Sequence, residues 1–229
     1  MAILFFLRGI QEWLIHSEHY QIKKVVIKGT RLLSTDEILC NTNLRSPADI
    51  LNVNLAEVEK QIRRNPFVAT VYVTRRFPAA LEIEINERFP IAYVSGTELV
   101  SVDSNGVILP LPKPGIMSDL PVITGIKNFT ERPGKVATND TLLHAIKILS
   151  YAKWIDKSLY HRFSEIHSDP RHGFLLYLTD YGFPIYLGWE TSFRKLQYLN
   201  ALLPRLQKEK RLASLHYLDL RFENQVVVR

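Results

Sequence analysis

Two neighbouring runs of alternating apolar and polar residues constrain the fold of this chain more than any other feature. The runs span Ala69 to Arg75 and Leu81 to Glu87, and a turn carrying Phe77-Pro78 joins them. In the second run positions 81, 83 and 85 are apolar, whereas positions 82, 84 and 86 are polar. A period of two with β-branched residues predicts a pair of half-buried strands. We therefore expect a sheet with one wet face and no catalytic chemistry.

The residues before this pair predict one further strand and two helices. Tyr20 to Lys28 has the composition of a strand. Ser34 and Glu37 have the spacing of a capping box, which predicts a helix from Thr35 to about Asn41. A second helix is predicted from Leu55 to Arg64, where apolar residues repeat at three- to four-residue spacing. The expected order is strand, helix, helix, strand, strand.

The second half of the chain predicts short strands and two longer helices, so the fold class is α+β. Asn105-Gly106 is a strong hairpin signal. Pro204 predicts a kink or break of the last helix near Leu203, and Trp154 is expected on the apolar face of the first. The predicted strands are 91–94, 99–102, 107–109, 163–167, 174–178, 183–187, 215–222 and 226–229, and the predicted helices are 138–156 and 192–208.

Composition and charge exclude several classes of function. The 229 residues, 46% apolar, indicate a globular chain of one or two domains. A net charge of +6 permits an anionic membrane surface or an acidic partner, but it is too diffuse to indicate nucleic acid. The single cysteine, Cys40, excludes an internal disulfide and a cysteine-based zinc site.

Motifs of catalysis and cofactor binding are missing from the sequence. It contains no glycine-rich nucleotide loop, nucleophile elbow or metalloprotease helix. His161, His167 and His172 lie near Glu165 and Asp169 and invite a metal hypothesis. On the predicted strand, however, Glu165 and His167 share one face with Phe163, and His161, at its edge, is the only other histidine near it. We expect no catalytic residue, no metal and no cofactor. A hydrolase with a scattered site stays open and would need an activity screen.

Both ends of the chain leave alternatives open. Ala2 to Ile15 is apolar but interrupted by Arg8 and Glu12, and is too short for a complete membrane span. It predicts an interfacial amphipathic helix, a soluble helix or the tail of a membrane span. At the other end, Val226 to Arg229 is either an edge strand, open to pairing with another chain, or an internal or solvated one.

Several ordered motifs carry a resemblance to a known family. In the first half they are Gly29 after the first strand, Ser34-x-x-Glu37-Ile38, Asn65-Pro66-Phe67-Val68, Arg75-Arg76-Phe77-Pro78 and Glu87-Arg88-Phe89-Pro90. In the second half they are Val102-Asp103-x-x-Gly106, Leu120-Pro121-x-x-x-Gly125 and Leu218-Asp219-Leu220-Arg221-Phe222. With these motifs the chain resembles the bacterial cell-division family FtsQ/DivIB from about Tyr20 to Arg229.

The resemblance implies three parts and a role without catalysis. Residues 1–19 would be the remnant or end of a membrane span, 20–90 a POTRA domain, and 91–229 an FtsQ-type β domain ending in an edge strand. The protein would be a single-pass inner-membrane protein, largely periplasmic, at the division septum. It would link early and late divisome proteins by binding the coiled-coil pair FtsB and FtsL, and its POTRA domain would contact other divisome proteins. The alternative is another POTRA-bearing assembly or secretion factor that binds polypeptides at its sheet edge.

The partner site implied by the resemblance lies at the C-terminus. A segment of FtsB would add as a strand along Gln225 to Arg229, and Arg171 would meet an acidic residue of the partner. Arg221 and Phe222 match the family's arginine-aromatic pair before the last strand. The predicted binding residues are Arg171, Arg221, Phe222, Glu223, Asn224, Gln225, Val226, Val227, Val228 and Arg229.

Overall fold

The chain divides into two units, which a computed structural model describes over most of their length. The first unit is Met1–Arg88 and the second is Phe89–Arg229. The described residues are 20–40, 42, 44, 48–114, 119–209, 212, 215–222 and 225–229. The expected N-terminal helix or membrane remnant at 1–19 therefore lies outside the described residues. Within the described ranges, none of the helices combines the length and the hydropathy that crossing a membrane requires.

The described part of the first unit is a three-stranded sheet with two helices. Its elements are β1 (Lys24–Lys28), α1 (Thr35–Leu39), α2 (Leu55–Ile62), β2 (Val68–Arg76) and β3 (Ala80–Glu87). The strand order is β1-β3-β2, with β1 parallel and β2 antiparallel to β3. The predicted order of elements is confirmed.

The wet face predicted for this sheet is present. Positions 81, 83 and 85 are buried, and Glu84 and Asn86 are exposed. Between them Glu82 is bound by Arg76 and Lys28. The alternation was therefore a reliable guide, because in a strand successive side chains point to opposite faces of the sheet.

Helix α1 begins as predicted, and β1 begins later than predicted. The Ser34 side chain accepts the Glu37 amide, and the Glu37 carboxylate accepts the Ser34 amide, which completes the capping box. Strand β1 starts at Lys24 because the residues before it pair elsewhere. Gln21 bridges Asp49 in the loop before α2.

A buried carboxylate at the end of β3 organises the loop after β1. Glu87 accepts the backbone N–H groups of Arg31, Leu32 and Leu33 at 2.7, 2.8 and 2.9 Å. Leu33 and the glutamate are both buried. The Glu87 side chain thus satisfies three amides that no secondary structure would otherwise pair.

The second unit is built on a nine-stranded sheet, counted over the described residues. The strands are β4 (Pro90–Ser95), β5 (Leu99–Asp103), β6 (Ile108–Leu109), β7 (Val122–Thr124), β8 (Phe163–Asp169), β9 (Gly173–Leu178), β10 (Tyr181–Gly188), β11 (Leu218–Asp219) and β12 (Val227–Val228), and the helices are α3 (Asp140–Ile155), α4 (Lys157–His161) and α5 (Phe193–Lys208). The strand order is β12-β11-β10-β9-β8-β7-β4-β5-β6. Helices α3 and α5 contribute buried leucines to the same core as these strands.

Two expectations for the second unit are wrong, and a third is wrong in part. Of the kink or break predicted near Leu203, the break is absent, since helix α5 continues through Pro204 with Leu203 and Leu206 on either side buried in the core. Trp154 is 79% exposed rather than part of the apolar face of α3. The strand predicted at 215–222 ends at Asp219, because the Arg221 amide donates to the Asp219 side chain instead of to a neighbouring strand.

Candidate functional site

A large concavity of the second unit lies beside the C-terminal strand. This C-terminal cleft has a volume of about 840 Å³. Its walls are the turn before β9, the end of β10, the start of α5 and the segment after β11. Its lining residues are Arg171, His172, Gly188, Trp189, Glu190, Thr191, Ser192, Arg194, Lys195, Tyr198, Leu220, Arg221, Phe222, Gln225 and Val226.

The register of β12 determines which of its backbone groups face outward. Arg229 and Tyr217 exchange both backbone hydrogen bonds, at 3.1 and 3.3 Å. Hydrogen-bonded and non-hydrogen-bonded pairs alternate along antiparallel strands, so the next pair, Leu218 and Val228, is a non-hydrogen-bonded one. The N–H and C=O of Val228, and by the same alternation those of Val226, therefore point away from β11.

The two edges of the large sheet differ in how they are covered. At the β6 edge Ile108 donates to the Lys135 carbonyl and accepts from the Gly134 amide, so a loop closes that edge. At the β12 edge, no segment from the described ranges pairs with the outward groups of Val226 and Val228. An open row of donors and acceptors of this kind can template pairing with another chain.

Arg171 stands at the mouth of the cleft on a turn fixed by Asp169. The Asp169 carboxylate accepts the Arg171 and His172 amides at 2.8 and 2.7 Å, and it contacts His172 Nδ1 at 2.8 Å. These hydrogen bonds, above all that from the His172 amide, lower the pKa of Asp169. The Arg171 side chain is exposed and makes no ion pair with a described residue.

Arg221 is held within the protein. Its Nη2 and Nε lie 2.6 and 2.9 Å from the Asp219 carboxylate, and its guanidinium lies 5.0 Å from the centre of the Tyr186 ring. Burial acts to raise the pKa of Asp219, but the hydrogen bonds and charge of Arg221 outweigh it and the pKa is lowered. Arg221 therefore shapes the segment that leads to Phe222.

The remaining predicted residues divide between the cleft, the sheet edge and the part outside the described ranges. Phe222, 54% exposed, lines the cleft with Gln225 and Val226. Val227 and Val228 form β12, and the Arg229 carbonyl accepts the His216 and Tyr217 amides. The predicted binding residues Glu223 and Asn224 lie outside the described residues.

Two exposed aromatic residues of the cleft were missed from the sequence. Trp189 and Tyr198 are about half exposed and line the same cavity as Phe222. The backbone at position 173 approaches the end of β10 so closely that only glycine fits, because a Cβ there would lie 2.4 Å from the Gly188 carbonyl carbon. The signal was a tryptophan placed between the end of a strand and the N-cap of a helix, where no core position was predicted.

The charges of the cleft favour an acidic ligand. Arg171 and Arg194 are exposed on its rim, and Lys195 donates to the Leu187 carbonyl at 3.3 Å. Glu190 is the one carboxylate among the described lining residues. The balance is positive, and an acidic peptide segment would be attracted to it.

The described residues hold no group of three or more histidine, cysteine or acidic side chains arranged to bind a metal. His167 and Glu165, which the sequence placed on one strand face, both contact the Thr124 hydroxyl. This trio lies on β7 and β8, outside the lining of the cleft.

Comparison with known proteins gives a consistent assignment for both units. Residues 20–88 match the FtsQ-type POTRA domain, and residues 92–221 match the C-terminal domain of cell division protein FtsQ/DivIB. The chain is 26% identical to the cell division protein FtsQ of Geotalea daltonii over 96% of its own length and 80% of the relative's. It is 31% identical to that of Anaeromyxobacter sp. (strain K), over 90% and 69% of the two lengths. For Neisseria meningitidis serogroup B the identity is 26%, over 100% and 90%.

Proposed function

The chain belongs to the FtsQ/DivIB family of cell-division proteins, and from this premise we propose that it is a non-enzymatic adaptor of the divisome. It binds the coiled-coil pair FtsB and FtsL, and a segment of FtsB adds as a strand to the edge of β12. In this role it links early and late division proteins at the septum. The POTRA unit contacts further divisome proteins.

The observation that carries this proposal is the open edge of β12 beside a basic, aromatic cleft. Within the described ranges nothing pairs with the outward backbone groups of Val226 and Val228, and a strand added there would pass the cleft that Phe222 and Arg171 line. Main-chain pairing supplies affinity in this mode of recognition, and flanking pockets supply specificity. The cleft would accept side chains of the partner that flank its paired strand.

The alternative, a secretion or assembly factor that binds polypeptides at a POTRA sheet edge, has less support. Its binding strand would be an edge strand of the first unit, such as β2. There the Glu59 carboxylate of α2 already accepts the Val73 amide at 2.9 Å. An incoming strand would have to displace that hydrogen bond, and charged groups at an edge oppose strand addition.

The proposed cellular location is supported by the family and by the apolar sequence before Tyr20. In the proposed arrangement the segment 1–19 forms the end of a single membrane span, and the units from 20 to 90 and from 91 to 229 lie in the periplasm. This arrangement places the C-terminal cleft where a periplasmic coiled coil can reach it.

Binding of FtsB peptides to cleft variants tests the proposal. Overlapping peptides that cover FtsB of the same organism are titrated against the full chain. Phe222→Ala and Arg171→Glu are each expected to abolish capture while leaving the melting temperature unchanged. Tyr72→Ala and Arg132→Glu are matched controls, since both residues are exposed and lie outside the cleft. Undiminished peptide binding by both cleft variants would show that the C-terminal cleft is not the binding site.

A further inference from the structure

An exposed apolar surface lies at one end of the first unit. Tyr20, Leu51, Phe77 and Pro78 line a shallow groove of about 520 Å³. Phe77 is 62% exposed and Leu51 is 38% exposed. We refer to these four residues as the apolar end. Large apolar side chains grouped on a surface mark a contact site more often than isolated ones do.

The apolar end is rigidly built. The Tyr20 carbonyl accepts the Ile50 amide at 2.9 Å. The Arg75 guanidinium binds the carbonyl oxygens of Ile50 and Val53, both at 2.7 Å. These hydrogen bonds fix the loop that carries Leu51 against the residue at which the described chain begins. The surface is therefore preformed.

The chain enters the first unit through this surface. Tyr20 is a member of the apolar end, and only four residues separate it from Ile15, the last residue of the apolar N-terminal segment. Five residue steps span at most about 18 Å even when fully extended. If the N-terminal segment lies in a bilayer, the apolar end is held within reach of the lipid headgroups.

The chemistry around the apolar end suits an anionic lipid surface. Aromatic side chains such as Tyr20 and Phe77 favour the boundary between hydrocarbon and water. Lys23 and Lys24 are exposed, and their amides donate to the Ala79 carbonyl, next to Phe77-Pro78. Basic residues close to a membrane surface are attracted to anionic headgroups.

We propose that the apolar end rests on the anionic lipid surface of the membrane and fixes the orientation of the first unit against the bilayer. The inference rests on the membrane location that is part of the proposed function. It adds a contact between lipid and the POTRA unit itself, distinct from the partner site of the second unit.

A depth-sensitive label tests the contact. The full chain carrying Cys40→Ser is labelled with bimane at Phe77→Cys or at Tyr72→Cys, and bound to vesicles of phosphatidylethanolamine and phosphatidylglycerol with a headgroup quencher. Tyr72 is the matched control, because it is also 62% exposed but lies on the wet face of β2. We expect quenching and a blue shift at position 77 and neither at position 72. Leu51→Cys repeats the test if substitution at 77 perturbs the turn.

Flotation of the same vesicles separates the two hypotheses. A chain that floats with the vesicles but shows no more quenching at 77 and 51 than at 72 overturns the lipid contact and leaves the membrane location intact. A chain that does not float overturns both. Loss of quenching when phosphatidylglycerol is replaced by phosphatidylcholine supports the part assigned to Lys23 and Lys24.

Discussion

Arg171 and Arg221 line the same cleft, yet of these two arginines only Arg221 has an ion-pair partner among the described residues. The guanidinium of Arg221 is held by the buried Asp219, whereas Arg171 projects from a turn with an exposed side chain. The two arginines therefore have different roles. Arg171 is available to a ligand, and Arg221 positions the chain that leads to Phe222.

The first prediction separates these roles by mutation to alanine. Arg171→Ala should leave the free energy of unfolding within about 0.5 kcal/mol of wild type, because the exposed side chain has no described partner. It should weaken FtsB peptide binding by about 1.5–3 kcal/mol if its contact is desolvated. Isothermal titration and denaturant unfolding of each variant measure the two quantities.

Arg221→Ala should instead reduce stability, by about 1–2 kcal/mol, because it leaves the buried Asp219 carboxylate without its partly exposed arginine partner. The loss of peptide affinity in this variant should be indirect, and it should follow from displacement of the segment that leads to Phe222. A variant Arg221→Ala as stable as wild type would contradict the positioning role.

The second prediction concerns pH and the Asp219 carboxylate. Its pKa is lower in the folded protein than its ordinary value. The ion pair therefore adds stability above the unfolded pKa of about 3.9, and loses it as the pH falls through the lower folded pKa. The stability difference between wild type and Asp219→Asn should be constant from neutral pH down to about pH 5 and shrink below about pH 4.

Urea unfolding of both proteins at matched ionic strength measures this difference. Glu98→Gln provides a control carboxylate on the surface of the same unit. A difference that grows as the pH falls would mean that the folded protein disfavours the Asp219 anion, which is the opposite of stabilisation by Arg221.

Local patterns predicted the first unit well because its elements depend on short-range chemistry. The capping box of Ser34 and Glu37 and the alternation in β3 involve residues that are close in sequence. The C-terminal cleft instead brings together residues from distant parts of the chain, such as Arg171 and Phe222, which line it together. The family resemblance supplied those two residues. The local signal for Trp189, its place between the end of a strand and the N-cap of a helix, did not indicate which residues it would join.

Trp154 shows why helical periodicity alone misleads. Its position continues the apolar spacing of α3, but Leu149 and Ala152 already fill the buried side of the helix. The tryptophan ring instead lies 5.1 Å from the Phe193 ring, at the surface. Periodicity gives the face on which a side chain lies, and the depth of the neighbouring core determines whether it is buried.

The third prediction concerns the buried carboxylate of the first unit. Glu87→Gln should lower the free energy of unfolding by about 1.5–3 kcal/mol. The carboxylate accepts amides with both oxygens, and a glutamine would turn its own NH₂ group toward one of those donors. Thermal unfolding measures the loss, and hydrogen exchange at residues 31–33 localises it.

Glu84→Gln is the control, because Glu84 lies on the same strand but is exposed on the wet face. Its effect should stay within about 0.5 kcal/mol. Equal effects of the two substitutions would show that the three amide hydrogen bonds of Glu87 contribute little.

The fourth prediction uses proline to test the register of strand addition. The Val228 amide points outward, so Val228→Pro removes a donor that only an added strand would use, and the fold should persist. The Val227 amide belongs to the hydrogen-bonded pair with Asp219, so Val227→Pro should destabilise the β11–β12 pair. We expect Val228→Pro to lose FtsB peptide binding with its melting temperature retained, and Val227→Pro to lower the melting temperature as well.

The comparison is informative because the two substitutions are chemically identical and adjacent. Binding that survives Val228→Pro would show that the partner does not use the outward amide at that position, and strand addition in this register would have to be abandoned. A lower melting temperature for Val228→Pro than for Val227→Pro would mean that the outward and inward positions are exchanged. In that case the outward amides would be those of Val227 and Arg229, and an added strand would be displaced by one residue along β12.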